Sequence, residues 1–246
     1  MQKMTSVFID QCIISDGDIL TGERRNGVIG YVRKEPPKEN WKREQFEYLP
    51  TVSELAETGK IELFRYLELD FEDWKRVGSF PSNKLGKLFE TKKMKLVSAA
   101  IERSYFFQSS LETHLEKSRV IEFCRWLNTP NLEDKILGSK AADKLPEQMK
   151  SNVTQLERYR VLCKNLSESQ RIDAFHFWSA EIAGIDYFLT TDKKFVNAMR
   201  ITNKVKSSCS LVFPSELSNI LDCGEKSKFK YELGVFYGIA GNRLYV

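Results

Sequence analysis

Two kinds of apolar run divide this 246-residue chain. Short continuous runs, SVFID near the start, KIELF at 60–64, DYFLT leading to Thr191 and Asp192, and SLVF just before Pro214, have the length and β-type composition of buried strands. Other segments place apolar residues three and four apart, the spacing of an amphipathic helix. The clearest is 171–184, where Phe177, Ala180 and Ala183 recur at helical spacing and Gly184 sits just past the end. A helix is also expected from Thr51, capped by Thr51 or Ser53 and ending near Gly59, with amphipathic helices over 111–127 and 153–166. Strands alternating with helices predict an α/β fold of three layers, α/β/α, around a central and mostly parallel sheet.

The breaks are equally informative. SDGD and TGERRNG, between 15 and 27, read as turns, and RKEPPKENWKREQFEYLP at 33–50 is polar with a proline pair, so it reads as a loop or exposed connector. From about 80 to 170, helical patterns broken at Pro81, Pro130 and Pro146 show little β signal, which predicts a large helical insertion. The expected organisation is one domain over 1–225 interrupted by that insertion, followed by a C-terminal extension at 226–246 whose Tyr, Phe, Val and Gly content suits a hairpin.

Three acids stand out against this layout. Asp10 ends the first strand, Asp192 ends a later one, and Asp173 falls early in the helix between them. In open α/β sheets the carboxyl edge of the strands is where ligands bind. Carboxylates gathered there repel one another unless a cation sits among them, and hard oxygen ligands suit Mg²⁺ or Mn²⁺. The chemistry that follows is metal-assisted attack on a phosphodiester. Each acid also has a plainer role, Asp173 as a helix cap and Asp192 as a turn residue, but their joint placement favours a site. RYLELDFEDWKR adds Glu68, Asp70, Glu72 and Asp73 in the first turns of a helix; Glu68 and Glu72 share a face, although such a run also suits a solvated surface.

The remaining composition narrows the field. Only His114 and His176 are present, which excludes chemistry built on several histidines, and His176 reads as a packed helix residue. Phe177 and Trp178 read as core, and Cys12 as a small buried hydrophobe. The five cysteines are scattered without a CxxC pair, against both a disulfide framework and a zinc knuckle. With no apolar run near the roughly 20 residues of a membrane span and no signal-peptide core, a soluble cytoplasmic protein is expected. No glycine-rich phosphate loop supports use of a nucleoside triphosphate. The net charge of +4 is unevenly spread: 193–206 holds five basic and no acidic residues, and 84–103 holds six basic against Glu90 and Glu102. The run that begins directly after Asp192 makes Lys193, Lys194 and Arg200 candidates for phosphate contacts, while 84–103 suits a solvated face as well.

Taken together, VFIDQCII, RIDAFHFWSAEIAGIDYFLTTDKKF and SLVFPSEL resemble the PIN domain, the metal-dependent ribonuclease fold common among toxins of bacterial toxin and antitoxin pairs. The similarity covers the first strand, 51 to about 75, and 171–221; its specific part is Asp173, His176, Ala180, Thr190, Thr191 and Asp192. The resemblance implies that Asp10, Asp173 and Asp192 hold Mg²⁺ or Mn²⁺ together with Glu72, with Glu68 as the fallback and Glu54 as a third option. It implies RNA, single-stranded or structured, as substrate, Thr191 as a residue that orients the nucleotide or braces Asp192, and an antitoxin partner and homodimer as in toxin members. Two positions depart from the family pattern: Gln11 replaces a small hydroxyl residue, and Phe195 stands where some members carry a further acid. A catalytically inactive nucleic-acid-binding or scaffold protein of the same fold is the second reading. A phosphatase with Asp10 as nucleophile is the third, and it wants an acid where Cys12 stands.

Overall fold

A computed structural model describes residues 4–69, 85–108, 110–140, 142–201 and 207–245. Its centre is β1 (Thr5–Ile9), whose Val7, Phe8 and Ile9 are entirely buried. Side chains alternate across a strand, so Phe8 enters one core while Val7 and Ile9 enter the other. β1 lies between β4 (Ile61–Arg65) and β6 (Tyr187–Leu189); β5 (Lys95–Leu96) and β7 (Ser210–Val212) complete a five-stranded sheet ordered β5-β4-β1-β6-β7, with every pairing parallel. Helices cover both faces, which gives the expected three-layer α/β/α fold.

The first face carries α4 (Leu111–His114), α5 (Lys117–Leu127), α6 (Leu132–Leu137), α7 (Glu147–Val153), α8 (Leu156–Cys163) and α9 (Gln170–Ile182). Phe123, Tyr159, Phe175, Phe177 and Trp178 pack there against Phe8 and Phe188, and burial of each such ring contributes about 1.5–3 kcal/mol. The opposite face carries α1 (Gln11–Asp16), α2 (Asn40–Glu47), α3 (Leu49–Glu57) and α11 (Pro214–Ile220), with α10 (Lys193–Ile201) joining β6 to β7. Among the described residues no helix is long and apolar enough to cross a membrane.

Several boundaries differ from the sequence reading, each for a local reason. The stretch 15–27 is not simply turns: it holds β2 (Leu20–Arg25), which forms an antiparallel hairpin with β3 (Val28–Arg33). Its two-residue corner, Asn26-Gly27, has positive φ at both positions, the primed turn that matches strand twist. β8 (Phe236–Tyr237) and β9 (Arg243–Leu244) form the C-terminal hairpin, and β8 pairs with β3 to make a second sheet ordered β2-β3-β8-β9. Gly30 permits this approach, since a Cβ there would stand 2.5 Å from both the Phe236 ring and the Tyr237 carbonyl oxygen.

The segment 33–50 is likewise not all loop. It contains α2, whose Gln45 and Phe46 are buried, and α3 starts at Leu49 because Pro50 fits the first helical turn. The block 80–170 is not purely helical, because β5 adds a fifth strand beside β4. The helix expected over 111–127 breaks between α4 and α5, and the one expected over 153–166 runs only from Leu156 to Cys163.

Past β5 the chain leaves the sheet but stays buried, so Ala100 needs other partners for its backbone. Its N–H donates to the Ser179 hydroxyl at 3.0 Å, and its carbonyl accepts from Asn152 Nδ2 at 2.7 Å. Ser179 is fully buried, so Ser179→Ala strands the Ala100 N–H and is expected to cost about 1–3 kcal/mol. Urea unfolding checks this; a loss well below 1 kcal/mol would mean that the Ala100 N–H finds another acceptor.

Candidate functional site

Parallel pairing of β1 with β6 sets Val7 beside Tyr187, Phe8 beside Phe188 and Ile9 beside Leu189. One step further, Asp10 therefore meets Thr190. The connection after β1 leads towards β4, and the one after β6 leads to β7 on the other side. Asp10 and the Thr190-Thr191-Asp192 turn thus flank the topological switch point, where open parallel sheets bind ligands.

Thr190 joins two acids. Its hydroxyl donates to Asp10 Oδ2 at 2.6 Å and accepts from the Asp192 N–H at 3.0 Å. Asp192 Oδ1 in turn accepts from the Phe195 N–H at 2.9 Å, capping α10. Phe195, one of the two departures from the PIN pattern, is fully buried. Thr191 is a brace: its hydroxyl donates to Asp16 Oδ2 at 3.0 Å, its N–H to Cys12 Sγ at 3.2 Å, and Lys42 stands 3.5 Å from the other Asp16 oxygen.

Asp10 is enclosed. Besides Thr190 it accepts from the Cys12 thiol at 3.1 Å and from the Gln11 N–H at 2.7 Å, capping α1. Burial pushes its carboxyl above the ordinary aspartate range, against the lowering exerted by Thr190, nearby His176, Cys12 and Gln11. Burial and the Asp10 charge push the Cys12 thiol well up; Cys12 is half-buried and engaged with Asp10 and the Thr191 N–H, more polar in its contacts than the small buried hydrophobe expected.

Beside Asp10 opens a cleft of about 730 Å³ whose lining includes Asp173, Asp192, Glu68, His176, Lys117, Lys194 and Arg103. Asp173 occupies the first turn of α9. Glu68, buried, receives Arg103 Nε at 3.1 Å and Nη2 at 2.9 Å, and Arg103 Nη1 reaches the His114 carbonyl at 2.8 Å. His176 is 3 % exposed at the cleft floor, its Nδ1 paired with the Tyr66 hydroxyl. Glu72 lies outside the described residues. Glu54 is remote from the cleft lining and accepts from the Ser227 hydroxyl instead.

The basic candidates separate. Lys194 lines the cleft; the Lys193 ammonium stands 4.9 Å from the centre of the Trp41 ring; Arg200 is engaged with Glu216 at 2.8 Å and lies over Phe213. Arg103 and Lys117 also line the cleft and were missed from sequence, since they belong to the block 80–170 and only the folded chain brings them to this edge.

Comparison with protein-family models, curated proteins and solved structures finds no match. The chemistry of the cleft must then be judged on its donors. Mg²⁺ keeps most of its waters and needs only one or two protein carboxylates beside substrate phosphates. Asp173 and Asp192, both in the cleft lining, are the carboxylates that would hold it. Among the described residues no three His, Cys, Asp or Glu side chains stand together closely enough to hold an ion, so a site of four converging acids is not assembled there.

The Asp10 environment generates a pH signature. The folded protein holds the Asp10 proton more tightly than the unfolded chain, so Asp10 costs stability increasingly as pH rises from about 3.8 through its raised folded value, and a constant amount above it. In metal-free protein the melting temperature of Asp10→Asn, relative to the native chain, is expected to climb as pH rises over that window. A difference that stays flat or shrinks with pH, in thermal scans from pH 4 to 8, contradicts the burial of this charge.

Proposed function

We propose that the cleft binds RNA and hydrolyses its phosphodiester backbone with a divalent cation held by Asp173 and Asp192. The observation that carries this reading is the gathering of two carboxylates with Lys117, Lys194 and Arg103 in one cleft at the switch point of a parallel sheet. The resemblance of Asp173, His176, Thr190 and Asp192 to the PIN pattern points the same way, with RNA as the substrate class. Bound there, Mg²⁺ or Mn²⁺ would supply an activated water and neutralise charge developing on the phosphoryl oxygens. Lys117 and Lys194 take phosphates, and Arg103 holds the Glu68 carboxylate in one orientation as an acceptor at the cleft wall. Asp10 acts from beneath: through Thr190 it fixes the turn that aims Asp192.

The test is cleavage of end-labelled single-stranded RNA with Mn²⁺ or Mg²⁺, with EDTA as control. Asp173→Asn and Asp192→Asn are expected to reduce the rate by more than about a hundredfold, since even the outer partners of metal ligands are worth 10- to 100-fold. Persistence of full activity in either variant would remove these acids from the site.

A second reading, a nucleic-acid-binding protein of the same fold without catalysis, is favoured by the enclosure of Asp10 and by the lack, among the described residues, of a converging trio of ligands. Binding without cleavage under either metal would select it. Both readings require phosphate contact, so Lys194→Ala is expected to weaken RNA binding and to lower the slope of log affinity against log salt by about 1. An unchanged slope in a salt titration would place the phosphates elsewhere.

A further inference from the structure

The cleft is not lined by charge alone. Leu115, just before α5, Val120 in its first turns and Ile172 in the first turn of α9 line it together with Lys117, Asp173, Asp192 and Lys194. Next to them stand Ser167 and Gln170. The Ser167 N–H donates to Gln170 Oε1 at 3.1 Å and the Ser167 hydroxyl to the same oxygen at 2.9 Å. Two donors fix the carboxamide by its oxygen, and what it retains for a ligand is its NH₂ group.

Apolar side chains and an oriented donor, in a cleft that also holds cationic side chains, are the groups a nucleotide requires: a flat ring takes the apolar side chains, a phosphate the basic ones. The volume of about 730 Å³ is large enough for a nucleotide rather than a lone phosphate. We propose that Leu115, Val120, Ile172 and Gln170 form a nucleobase pocket that takes one unstacked base of a single-stranded RNA next to the phosphate held by Lys194. The inference rests on the nucleic-acid reading above and deepens it by giving the base a seat of its own. Because Gln170 Oε1 is already taken, its amide acts as donor only. It therefore pairs with an acceptor on the base edge, a carbonyl oxygen or a ring nitrogen, which every nucleobase carries and an abasic ribose lacks. It also gives the block 80–170 a part in recognition, since Leu115, Lys117 and Val120 come from it.

The experiment compares three labelled strands of equal length, oligouridylate, oligoadenylate and an abasic ribose-phosphate chain, by fluorescence anisotropy in EDTA. The native protein is expected to bind oligouridylate and oligoadenylate each about tenfold more tightly than the abasic chain, the worth of one well-placed hydrogen bond. Gln170→Leu, at a half-exposed helix start, which removes that bond, and Val120→Trp, which fills the pocket, should each erase the preference. Both should keep native affinity for the abasic chain, which also reports that they fold. Equal binding of all three strands by the native protein overturns the pocket and leaves the nucleic-acid reading standing. Failure of the native protein to bind any strand, in EDTA and again with Ca²⁺ in its place, overturns both.

Discussion

The parallel pairing of β1 with β6 is the constraint on which the site depends. Its register decides that the residue after Ile9 meets the residue after Leu189, and the Asp10 N–H completes the ladder on the Leu189 carbonyl at 3.1 Å. From there the Thr190 hydroxyl acts as both donor and acceptor. It gives its hydrogen to Asp10 and takes the Asp192 N–H, so an acid on one strand dictates the geometry of an acid on the next. A slip of one residue would turn Phe8 and Phe188 to the wrong faces, and the two aromatic rings, 5.4 Å apart and nearly parallel, would lose each other along with the core around them. Core packing and site geometry are thus specified by the same pairing.

The helical side of the molecule extends this dependence. α9 buries Phe175, Phe177 and Trp178 in the core that receives Phe8, while its first turn carries Asp173 to the cleft. The block from 80 to 170 is a layer of the domain as well as a connection, because α5 and α8 pack on α9 and Asn152 clamps Ala100. Arg103 comes with it to meet Glu68. A buried ion pair of this kind adds little stability over apolar residues of similar size. Its consequence is orientation, since a bidentate guanidinium leaves the carboxylate one arrangement.

Much of this was legible in the sequence. The strands 5–9, 61–65, 187–189 and 210–212 are short apolar runs with clear ends, and the helix with Asp173 is set by Gly184, whose φ of +70° ends it. Asp173 and Asp192 both line one cleft, since the helix that begins near Asp173 runs back to the strand that ends before Asp192. What stayed hidden depends on distant partners. β5 is two residues long, and nothing local marks Lys95–Leu96 as a strand until β4 lies beside it. α2 looked like a loop because its charged face dominates the composition, and only Gln45 and Phe46 turn inward. The Asn26-Gly27 corner was a strong hairpin signal passed over as a mere turn. No spacing rule reaches from Glu68 to Arg103, and none reveals that Asp10 would be sealed beneath the cleft instead of lining it.

The charge of the cleft bears on how the proposed chemistry would be controlled. Its described acidic lining, Glu68, Asp173 and Asp192, is matched by Arg103, Lys117 and Lys194. A cleft balanced in this way attracts neither a lone divalent cation nor a lone phosphate strongly. A cation bound at Asp173 and Asp192 would leave the lining positive, which would favour the phosphates of RNA; RNA bound at the lysines would restore the negative charge that favours the cation. Each ligand would raise affinity for the other, and by linkage the two effects would be equal. On the proposed reading, the metal and the RNA enter as a coupled pair, and the fixed Arg103–Glu68 unit keeps the balance from being set by side chains that swing with solvent.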